Sequence, residues 1–368
     1  MNHKTVVAVL FGGVSSEHEV SRLSVTSVLG NMDRQRYDVV AVGITKDGRW
    51  LCFDGDEALI AKGDWEKDTS HLAPCVLSPD TSHHGLLVQK GSSWEVVHVD
   101  IVFPVLHGKN GEDGTIQGLL EMAGIPYVGC GVAASANCMD KDIAKTILAA
   151  SNVPVAKWIT VPAEEFYDLD AVDAAITERL GYPVFVKPAN AGSSVGVSKA
   201  ADKLQLRSAL YEAFKQDSKV IIEETLKGAE VECAVMGNCQ PKASTVIGEI
   251  VPKRDLYDYE GKYLDGSTDL YIPARVTPEQ TDLVRTLAVR AYSLLGCAGL
   301  ARVDFFASAD GKGVVLNELN TLPGFTSISM YPKLFMASGM TYPQIIDKLI
   351  QLGFDRRKLH SDLLTHNT

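Results

Sequence analysis

Short apolar runs alternate with helical stretches along the first third of the chain, and this alternation limits the fold more than any other feature. The apolar runs lie at residues 6–11, 37–44 and 100–106, and helices are predicted at residues 17–32 and 115–123. Strands that alternate with helices form a parallel sheet that is covered on both faces. Glycine-containing turns follow two of these strands, at residues 12–13 and 107–108. Parallel sheets bind ligands at the carboxyl ends of their strands, so both turns are candidate binding sites.

The length of 368 residues exceeds what one hydrophobic core supports, so two or three domains are expected. The middle of the chain has shorter strand and helix patterns, which indicate a small α+β domain beside the α/β domain. Residues 249–274 are polar and lack periodicity, which is typical of a functional loop or lid. We therefore divide the chain into an N-terminal α/β substrate-binding domain (1–130), a central domain (131–222) and a C-terminal domain (223–368).

Charge and cysteine content exclude several classes of protein. The formal net charge of −11 argues against a general nucleic-acid binder, because such proteins present a basic face. No apolar stretch approaches the roughly 20 residues that a membrane span needs, and the first apolar run indicates a buried strand rather than a signal peptide. Seven cysteines without a CxxC pair are typical of a reducing compartment. We expect a cytoplasmic protein with neither nucleic acid nor membrane as a partner.

A predicted hairpin near the end of the chain carries the strongest chemical signal. Its strands are predicted at residues 301–307 and 313–319. Arg302 and Asp304 share a face of the first strand, as Glu318 and Asn320 do on the second, and an Asp-Gly pair in the turn favours the hairpin. Two carboxylates and an amide in one place suit Mg²⁺ that is held jointly with substrate phosphates. The alternative is a solvated face with salt bridges, but the apolar flanks of both strands argue against it.

A loop rich in glycine and serine follows a strand that ends at Lys187-Pro188. Residues 192–196 read Gly-Ser-Ser-Val-Gly. Glycine lets the backbone approach an anion, and consecutive amides can surround a phosphate. The loop lacks the GxxxxGK[ST] pattern of a Walker A motif. The pattern alone leaves a phosphate-binding loop and an ordinary flexible turn equally open.

Acidic residues near another strand end give a weaker signal. Glu223 and Glu224 end a predicted strand, and Glu230 follows shortly after. Carboxylates there could accept hydrogen bonds from the amino group and ribose of a nucleotide, although a surface strand end explains the pattern equally well. Residues 129–134 match the GxGxxA pattern, but no acidic residue follows about 20 positions later, so dinucleotide binding is not predicted.

Taken in order, seven segments resemble the D-alanine–D-alanine ligases. They lie at residues 11–21, 107–114, 139–141, 186–196, 257–263, 302–306 and 317–329. The resemblance implies an ATP-grasp fold with an N-terminal parallel α/β domain. It implies the ATP-dependent joining of two D-alanine molecules through an acyl-phosphate, for peptidoglycan precursor synthesis. It also implies a homodimer that uses ATP and two Mg²⁺ ions, for which Mn²⁺ can substitute.

The resemblance assigns residues to the two amino-acid substrates. Glu17 would bind the ammonium of the first D-alanine, with hydrogen bonds to Ser193 and to Tyr263 in the lid, and His107 would lie near the same substrate. The residues that would stabilise the tetrahedral intermediate are Arg302 and Gly324, the latter through its amide. The residues that would contact the substrates in the second subsite are Asn320, Ser329 and Met330.

The resemblance also assigns residues to the nucleotide and the metal. Lysines and a serine would hold the ATP phosphates, with Lys262 reaching the γ-phosphate from the lid. These residues are Lys141, Lys187, Ser194 and Lys262. The residues that would bind adenosine are Glu223, Glu224, Leu226 and Glu230. The residues that would ligate magnesium are Asp304, Glu318 and Asn320.

Related activities remain as alternatives. Lys262-Tyr263 resembles the lid of the dipeptide-forming enzymes, whereas D-alanine–D-lactate ligases lack that pattern. D-alanine–D-serine ligases are closer, because their specificity rests on a few contacts near Ser329 and Met330. The lid has Gly261 where the family often has Ala, and Glu224 stands where Lys is common. A nucleotide-binding protein without ligase activity predicts gaps in the catalytic set, and the hairpin shows none.

Overall fold

Three β-sheets flanked by helices make up the described part of the protein. The computed structural model describes residues 4–166, 168–252, 268–311 and 313–365. The combination of mixed and antiparallel sheets confirms the predicted α/β and α+β architecture. The lid is described only at its two ends, so Lys262 and Tyr263 lie outside the described residues.

The first sheet has seven strands in the order β6-β5-β4-β3-β2-β1-β7. They are β1 (Thr5–Gly12), β2 (Tyr37–Ile44), β3 (Trp50–Phe53), β4 (Leu72–Leu77), β5 (Gly85–Lys90), β6 (Ser93–His98) and β7 (Ile101–Pro104). β1 pairs with β2 and β7 in parallel, as predicted. Helix α1 (His18–Asn31) forms the crossover from β1 to β2, which a parallel pair requires.

Strands β3 to β6 extend this sheet with antiparallel pairing, which the sequence analysis did not assign. The β2–β3 turn closes with a hydrogen bond from Thr45 N to Arg49 O of 2.9 Å. Gly48 in this turn has a φ of 86°, a conformation that favours glycine. The pair Asp47-Gly48 is therefore a hairpin signal in the sequence, and it lies in the turn between β2 and β3. Two short helices complete this part, α2 (Ala58–Lys62) and α3 (Thr115–Ala123).

Two consecutive helices lead from the first sheet to the second. They are α4 (Val132–Met139) and α5 (Lys141–Ala150). The sequence pattern over residues 139–151 predicts one helix, which corresponds to α5, and α4 lies outside that prediction. Asp140 separates the two, because its carboxylate accepts hydrogen bonds of 3.1 Å from the amides of Asp142 and Ile143. This N-cap fixes the start of α5 and directs Lys141 into its first turn.

The second sheet is antiparallel and small, with the strand order β10-β9-β11-β8. Its strands are β8 (Trp158–Pro162), β9 (Val184–Pro188), β10 (Ser198–Ala200) and β11 (Lys219–Glu224), and its helices are α6 (Leu169–Arg179) and α7 (Lys203–Phe214). Val184 and Val186 are buried in one cluster with apolar residues of α6 and α7. Because side chains alternate along a strand, Phe185 and Lys187 lie on the opposite face of the sheet, away from α6 and α7.

The third sheet has the order β15-β14-β12-β16-β17, with β13 paired to β12. Its strands are β12 (Ala229–Gly237), β13 (Lys242–Ala243), β14 (Gly248–Pro252), β15 (Thr268–Tyr271), β16 (Gly299–Ala307) and β17 (Val314–Asn320). Helix α8 (Pro278–Leu294) begins with a capping box of Thr277 and Gln280. The hairpin β16–β17 is confirmed, with Arg302 opposite Asn320.

Two further helices close the structure. They are α9 (Met330–Ala337) and α10 (Tyr342–Thr365). The sequence pattern predicts a terminal helix over residues 342–352, and α10 continues well beyond that range. Along the described ranges, every helix is too short or too polar to cross a lipid bilayer.

Candidate active site

A cavity of about 410 Å³ lies between the second and third sheets. Residues from the glycine- and serine-rich loop and from the hairpin line it together, so these two segments meet at one cavity. The sequence-predicted residues along its wall are Lys141, Lys187, Ser193, Ser194, Glu223, Glu224, Leu226, Glu230 and Glu318. Phe185 and Phe306 add apolar surface to the same wall. A cavity that combines apolar walls with cations and a Gly/Ser loop can hold a planar ring attached to an anion.

The loop between β9 and β10 adopts a strained backbone conformation. Ser193 and Ser194 have φ of 48° and 58°, in the left-handed region that residues with a side chain rarely adopt. Lys141 donates a hydrogen bond of 2.6 Å to the carbonyl of Ala191 and so fixes the start of this loop. Strain of this kind persists where the surrounding structure enforces it, and it concentrates at binding sites.

Two ammonium groups share one buried carboxylate on the cavity floor. Lys187 Nζ lies 2.6 Å from Glu223 Oε2, and Lys145 Nζ lies 2.9 Å from Glu223 Oε1. Burial raises the pKa of Glu223, but Lys187 and Lys145 outweigh it and lower that pKa to about 2. The sequence analysis missed Lys145, although it lies one helical turn after Lys141 on α5.

The hairpin gathers charged side chains on the face of β16 opposite α8. Arg302 holds Asp304 with two hydrogen bonds, from Nε at 2.8 Å and from Nη2 at 2.7 Å. The same guanidinium lies 3.1 Å from a carboxylate oxygen of Glu232, which the sequence analysis also missed. Glu230 and Glu232 alternate with buried apolar residues of β12, and this alternation was the available signal.

The residues of the hairpin fit a divalent metal that phosphates help to bind. Asp304 lies opposite Glu318 in the strand register, and Asn320 donates a hydrogen bond of 3.0 Å to Asp304. Two carboxylates and an amide oxygen suit Mg²⁺, which commonly takes its remaining ligands from water and substrate phosphates. Within the described ranges, no group of three or more His, Cys, Asp or Glu side chains could hold a metal by itself.

A second polar cluster connects the first sheet to the Gly/Ser loop. Glu17 is 5 % exposed, and its Oε1 accepts a hydrogen bond from Ser193, as the resemblance implied for this pair. Its Oε2 has no hydrogen-bond partner among the described residues. A Cβ on Gly108 or Gly192 would come within 2.4 Å or 2.5 Å of this oxygen, so a side chain at either position would displace the carboxylate. A buried, unpaired carboxylate oxygen is suited to a cationic ligand group.

His107 and Glu112 hold the backbone that follows the hairpin. His107 Nδ1 donates to Leu322 O at 2.8 Å, and its Nε2 lies 2.9 Å from the Ser24 hydroxyl. Burial lowers the pKa of His107, so the neutral ring donates through Nδ1 and accepts from Ser24 through Nε2. Glu112 accepts hydrogen bonds from the amides of Gly108 and Leu322 at 2.8 Å and 3.1 Å.

The segment that follows contains the remaining predicted residues. Ser329 Oγ accepts a hydrogen bond of 3.0 Å from Thr326 N and precedes α9. Gly324 lies against it, since a Cβ at position 324 would come within 2.7 Å of Ser329 Oγ. Met330 is buried, and its sulfur covers Gly248 at the start of β14.

Comparison with known proteins decides the family. The family models described as "D-ala D-ala ligase N-terminus" and "D-ala D-ala ligase C-terminus" match residues 6–130 and 147–351. The chain belongs to the D-alanine–D-alanine ligase family. Among its relatives, the D-alanine–D-alanine ligase of Acetivibrio thermocellus is 51 % identical over 369 residues, with 97 % of each chain covered. That of Caldicellulosiruptor bescii is 49 % identical over 357 residues, with 96 % of each chain covered.

Solved structures of D-alanine–D-alanine ligase relatives share this fold. The D-Ala:D-Ser ligase VanG from Enterococcus faecalis is 41 % identical, with a TM-score of 0.87, and covers 95 % of this chain and 100 % of its own. The D-alanine–D-alanine ligase from Coxiella burnetii is 33 % identical, with a TM-score of 0.84, and 99 % of each chain is covered. Both matches cover nearly the whole chain, and both support the ATP-grasp architecture.

Proposed function

We propose that this protein joins two D-alanine molecules into D-alanyl-D-alanine, with cleavage of ATP to ADP and phosphate. The observation that carries the proposal is the single cavity that the Gly/Ser loop and the hairpin share, with Glu17 hydrogen-bonded to that loop. A carboxylate does not react with an amine until it is activated. Transfer of the γ-phosphoryl group to the first D-alanine gives an acyl-phosphate, whose carbonyl the amine of the second D-alanine attacks. Phosphate then leaves, and the dipeptide serves peptidoglycan precursor synthesis.

The nucleotide binds in the cavity between the second and third sheets. Lys141, Lys187 and the loop at Ser194 bind its phosphates, because they supply the cationic and amide donors there. The adenosine lies against the apolar wall near Phe185 and contacts residues at the end of β11 and the start of β12. These residues are Glu223, Glu224, Leu226 and Glu230.

The amino-acid substrates bind where the first sheet meets the hairpin. Glu17 accepts the ammonium of the first D-alanine through the Oε2 that has no partner among the described residues. His107 keeps the nearby backbone in place. The tetrahedral oxyanion receives hydrogen bonds from Arg302 and from the amide of Gly324, and loss of one such donor typically lowers a rate about 10²- to 10³-fold. The residues of the second subsite are Asn320, Ser329 and Met330.

Asp304, Glu318 and Asn320 would hold the two Mg²⁺ ions, and Mn²⁺ could replace them. When bound, these ions neutralise charge on the phosphoryl group that is transferred. We assign the lid role to residues 249–274, with the role of Lys262 at the γ-phosphate and that of Tyr263 toward Glu17 and Ser193 taken from the family resemblance. A lid is required because the acyl-phosphate would hydrolyse in open water.

The proposal also covers the domains, the oligomeric state and the location of the protein. The proposed domains are residues 1–130, 131–222 and 223–368, and the active protein is a homodimer. A cytoplasmic location suits a reaction that consumes ATP, and all seven cysteines are free thiols. Light scattering of the purified protein tests the dimer, which predicts twice the chain mass of 39.8 kDa.

Purified protein with ATP, Mg²⁺ and D-alanine tests the reaction. We expect phosphate release that depends on D-alanine, with D-alanyl-D-alanine identified by mass, and none with L-alanine. Similarity to VanG makes D-alanine–D-serine ligation the second candidate, so D-serine and D-lactate are added in competition. If D-alanyl-D-serine or D-alanyl-D-lactate is the main product, the protein is a ligase of that product rather than of D-alanyl-D-alanine. ATP binding without D-alanine-dependent turnover contradicts ligase activity altogether.

A further inference from the structure

Lys145 is a buried cation beneath the nucleotide cavity, and no role has so far been given to it. Its relative exposure is 1 %, and its ammonium lies 2.9 Å from Glu223 Oε1. Apart from this ion pair, it has no hydrogen-bond partner among the described residues. Its nearest aromatic neighbour is Trp158, whose ring centroid is 5.9 Å from the ammonium. Lys145 therefore acts on the site through Glu223.

Helix packing does not require a charge at this position. The neighbouring buried residues of α5, Ala144 and Leu148, belong to an apolar cluster that an aliphatic side chain at 145 would extend. Removing an ammonium from water is unfavourable unless a carboxylate compensates it, and apolar replacements of buried ion pairs are often more stable. Helix packing therefore does not explain the buried pair of Lys145 with Glu223, which requires another explanation.

The two cations of the floor differ in their access to the cavity. Lys187 lines the cavity and its side chain is 17 % exposed, whereas the side chain of Lys145 is only 2 % exposed. Each ammonium takes a different oxygen of Glu223. The ion pair of Lys145 can therefore persist while Lys187 turns toward a ligand.

We propose that Lys145 is a positioning residue for nucleotide binding. It holds Glu223 in place, so that the side chain of Lys187 can turn its ammonium from Glu223 to the phosphates. This inference rests on the proposed function only in that the cavity binds ATP. With Lys145, the three side chains carry one net positive charge toward the cavity. Without Lys145, the charges of Glu223 and Lys187 cancel. When Lys187 then turned to a ligand, neither ammonium of this cluster would remain beside Glu223. Phosphate binding would then leave a buried carboxylate without compensation.

Lys145→Met tests the proposal, because methionine keeps the length and apolar stem of lysine without the charge. ATP binding is measured by calorimetry without D-alanine, so the result does not depend on ligase activity. We expect the Kd for ATP to rise about tenfold, within the range of couplings between contacting charged residues. In turnover, the KM for ATP rises while the KM for D-alanine stays within about twofold. The matched control is Lys215→Met, which removes an exposed lysine paired with Glu212 on α7 and should change neither constant.

A double-mutant cycle separates action through Glu223 from a general structural effect. In a Glu223→Gln background there is no carboxylate to anchor, so adding Lys145→Met should change the Kd for ATP less than about twofold. This comparison also serves if Lys145→Met alone does not fold, because the double variant removes both charges together. Equal weakening in the two backgrounds, or unchanged ATP binding in the single variant, overturns the proposal. Tight ATP binding without any dipeptide product would instead overturn the ligase assignment and leave this inference intact.

Discussion

Glu17→Gln should make the protein more stable and a poorer ligase at the same time. Glu17 is buried, its Oε1 accepts from Ser193, and its Oε2 has no partner among the described residues. Glutamine keeps the acceptor for Ser193 and removes a buried charge that lacks compensation. An unsatisfied buried polar group costs about 1–3 kcal/mol, and the neutral amide recovers part of this, so we expect a gain of about 1 kcal/mol. For a chain of this length, that gain corresponds to a melting temperature about 1–2 °C higher.

The same substitution removes the carboxylate that we propose as the counter-ion of the substrate ammonium. A hydrogen bond to a charged group contributes about 1.5–3 kcal/mol, which corresponds to a rise of about 10- to 150-fold in the KM for the first D-alanine. Thermal melting and ADP release at varied D-alanine concentration measure the two effects. Glu19→Gln is the matched control. Glu19 lies in the first turn of α1, two residues after Glu17, and its half-exposed side chain pairs with Lys46. This substitution should change stability by less than about 0.5 kcal/mol. A lower melting temperature with an unchanged KM would show that Oε2 has a structural partner and would refute this reasoning.

Three further outcomes are expected. Glu232→Gln should lower kcat about tenfold or more with little change in the KM for ATP. The reason is that Arg302 loses a carboxylate at 3.1 Å that orients it. Rapid-quench turnover at the wild-type rate would contradict this. Burial, with Glu17 next in effect, raises the pKa of Glu112 from 4.5 to about 8, so its protonated form favours the folded state. Stability should therefore decline as pH rises from about 4.5 to 8, by on the order of 5 kcal/mol from this group. Urea titrations of Glu112→Gln should show a flatter profile. Lys262→Ala and Tyr263→Phe should lower turnover while circular dichroism stays native, and wild-type turnover in both would exclude the proposed lid role.

Local patterns predicted the parts of the fold that depend on neighbours in sequence. Strand β1, helix α1 and the β16–β17 hairpin follow from apolar periodicity and turn residues, and they appear within one or two residues of their predicted bounds. The antiparallel half of the first sheet was not assigned, because its strands are short and the Asp47-Gly48 turn signal was overlooked. The break between α4 and α5 depends on the side-chain cap of Asp140, which periodicity does not show.

The site residues also divide into those that local sequence patterns predict and those that depend on tertiary contacts. The hairpin and the Gly/Ser loop were recognisable because each carries its residues close together in sequence. Lys145 and Glu232 were missed, since each is defined by a partner at least 70 positions away, Glu223 for the first and Arg302 for the second. A lysine on an amphipathic helix and a glutamate on a strand are ordinary surface patterns until tertiary contacts bury them.

The hydrogen bonds that hold residues 322–325, just after the hairpin, have a consequence for how this enzyme tolerates substitutions. Ser24 accepts from Phe325 N at 3.1 Å, and His107 and Glu112 grip Leu322, so side chains of the first sheet and its helices set where the amide of Gly324 points. A substitution at Ser24 would move this amide, which we propose as an oxyanion donor, without changing a residue that lines the cavity. Inhibitor resistance and shifts in substrate preference can therefore arise in the first hundred and twelve residues, and a mutational survey confined to the walls of the cavity would overlook them.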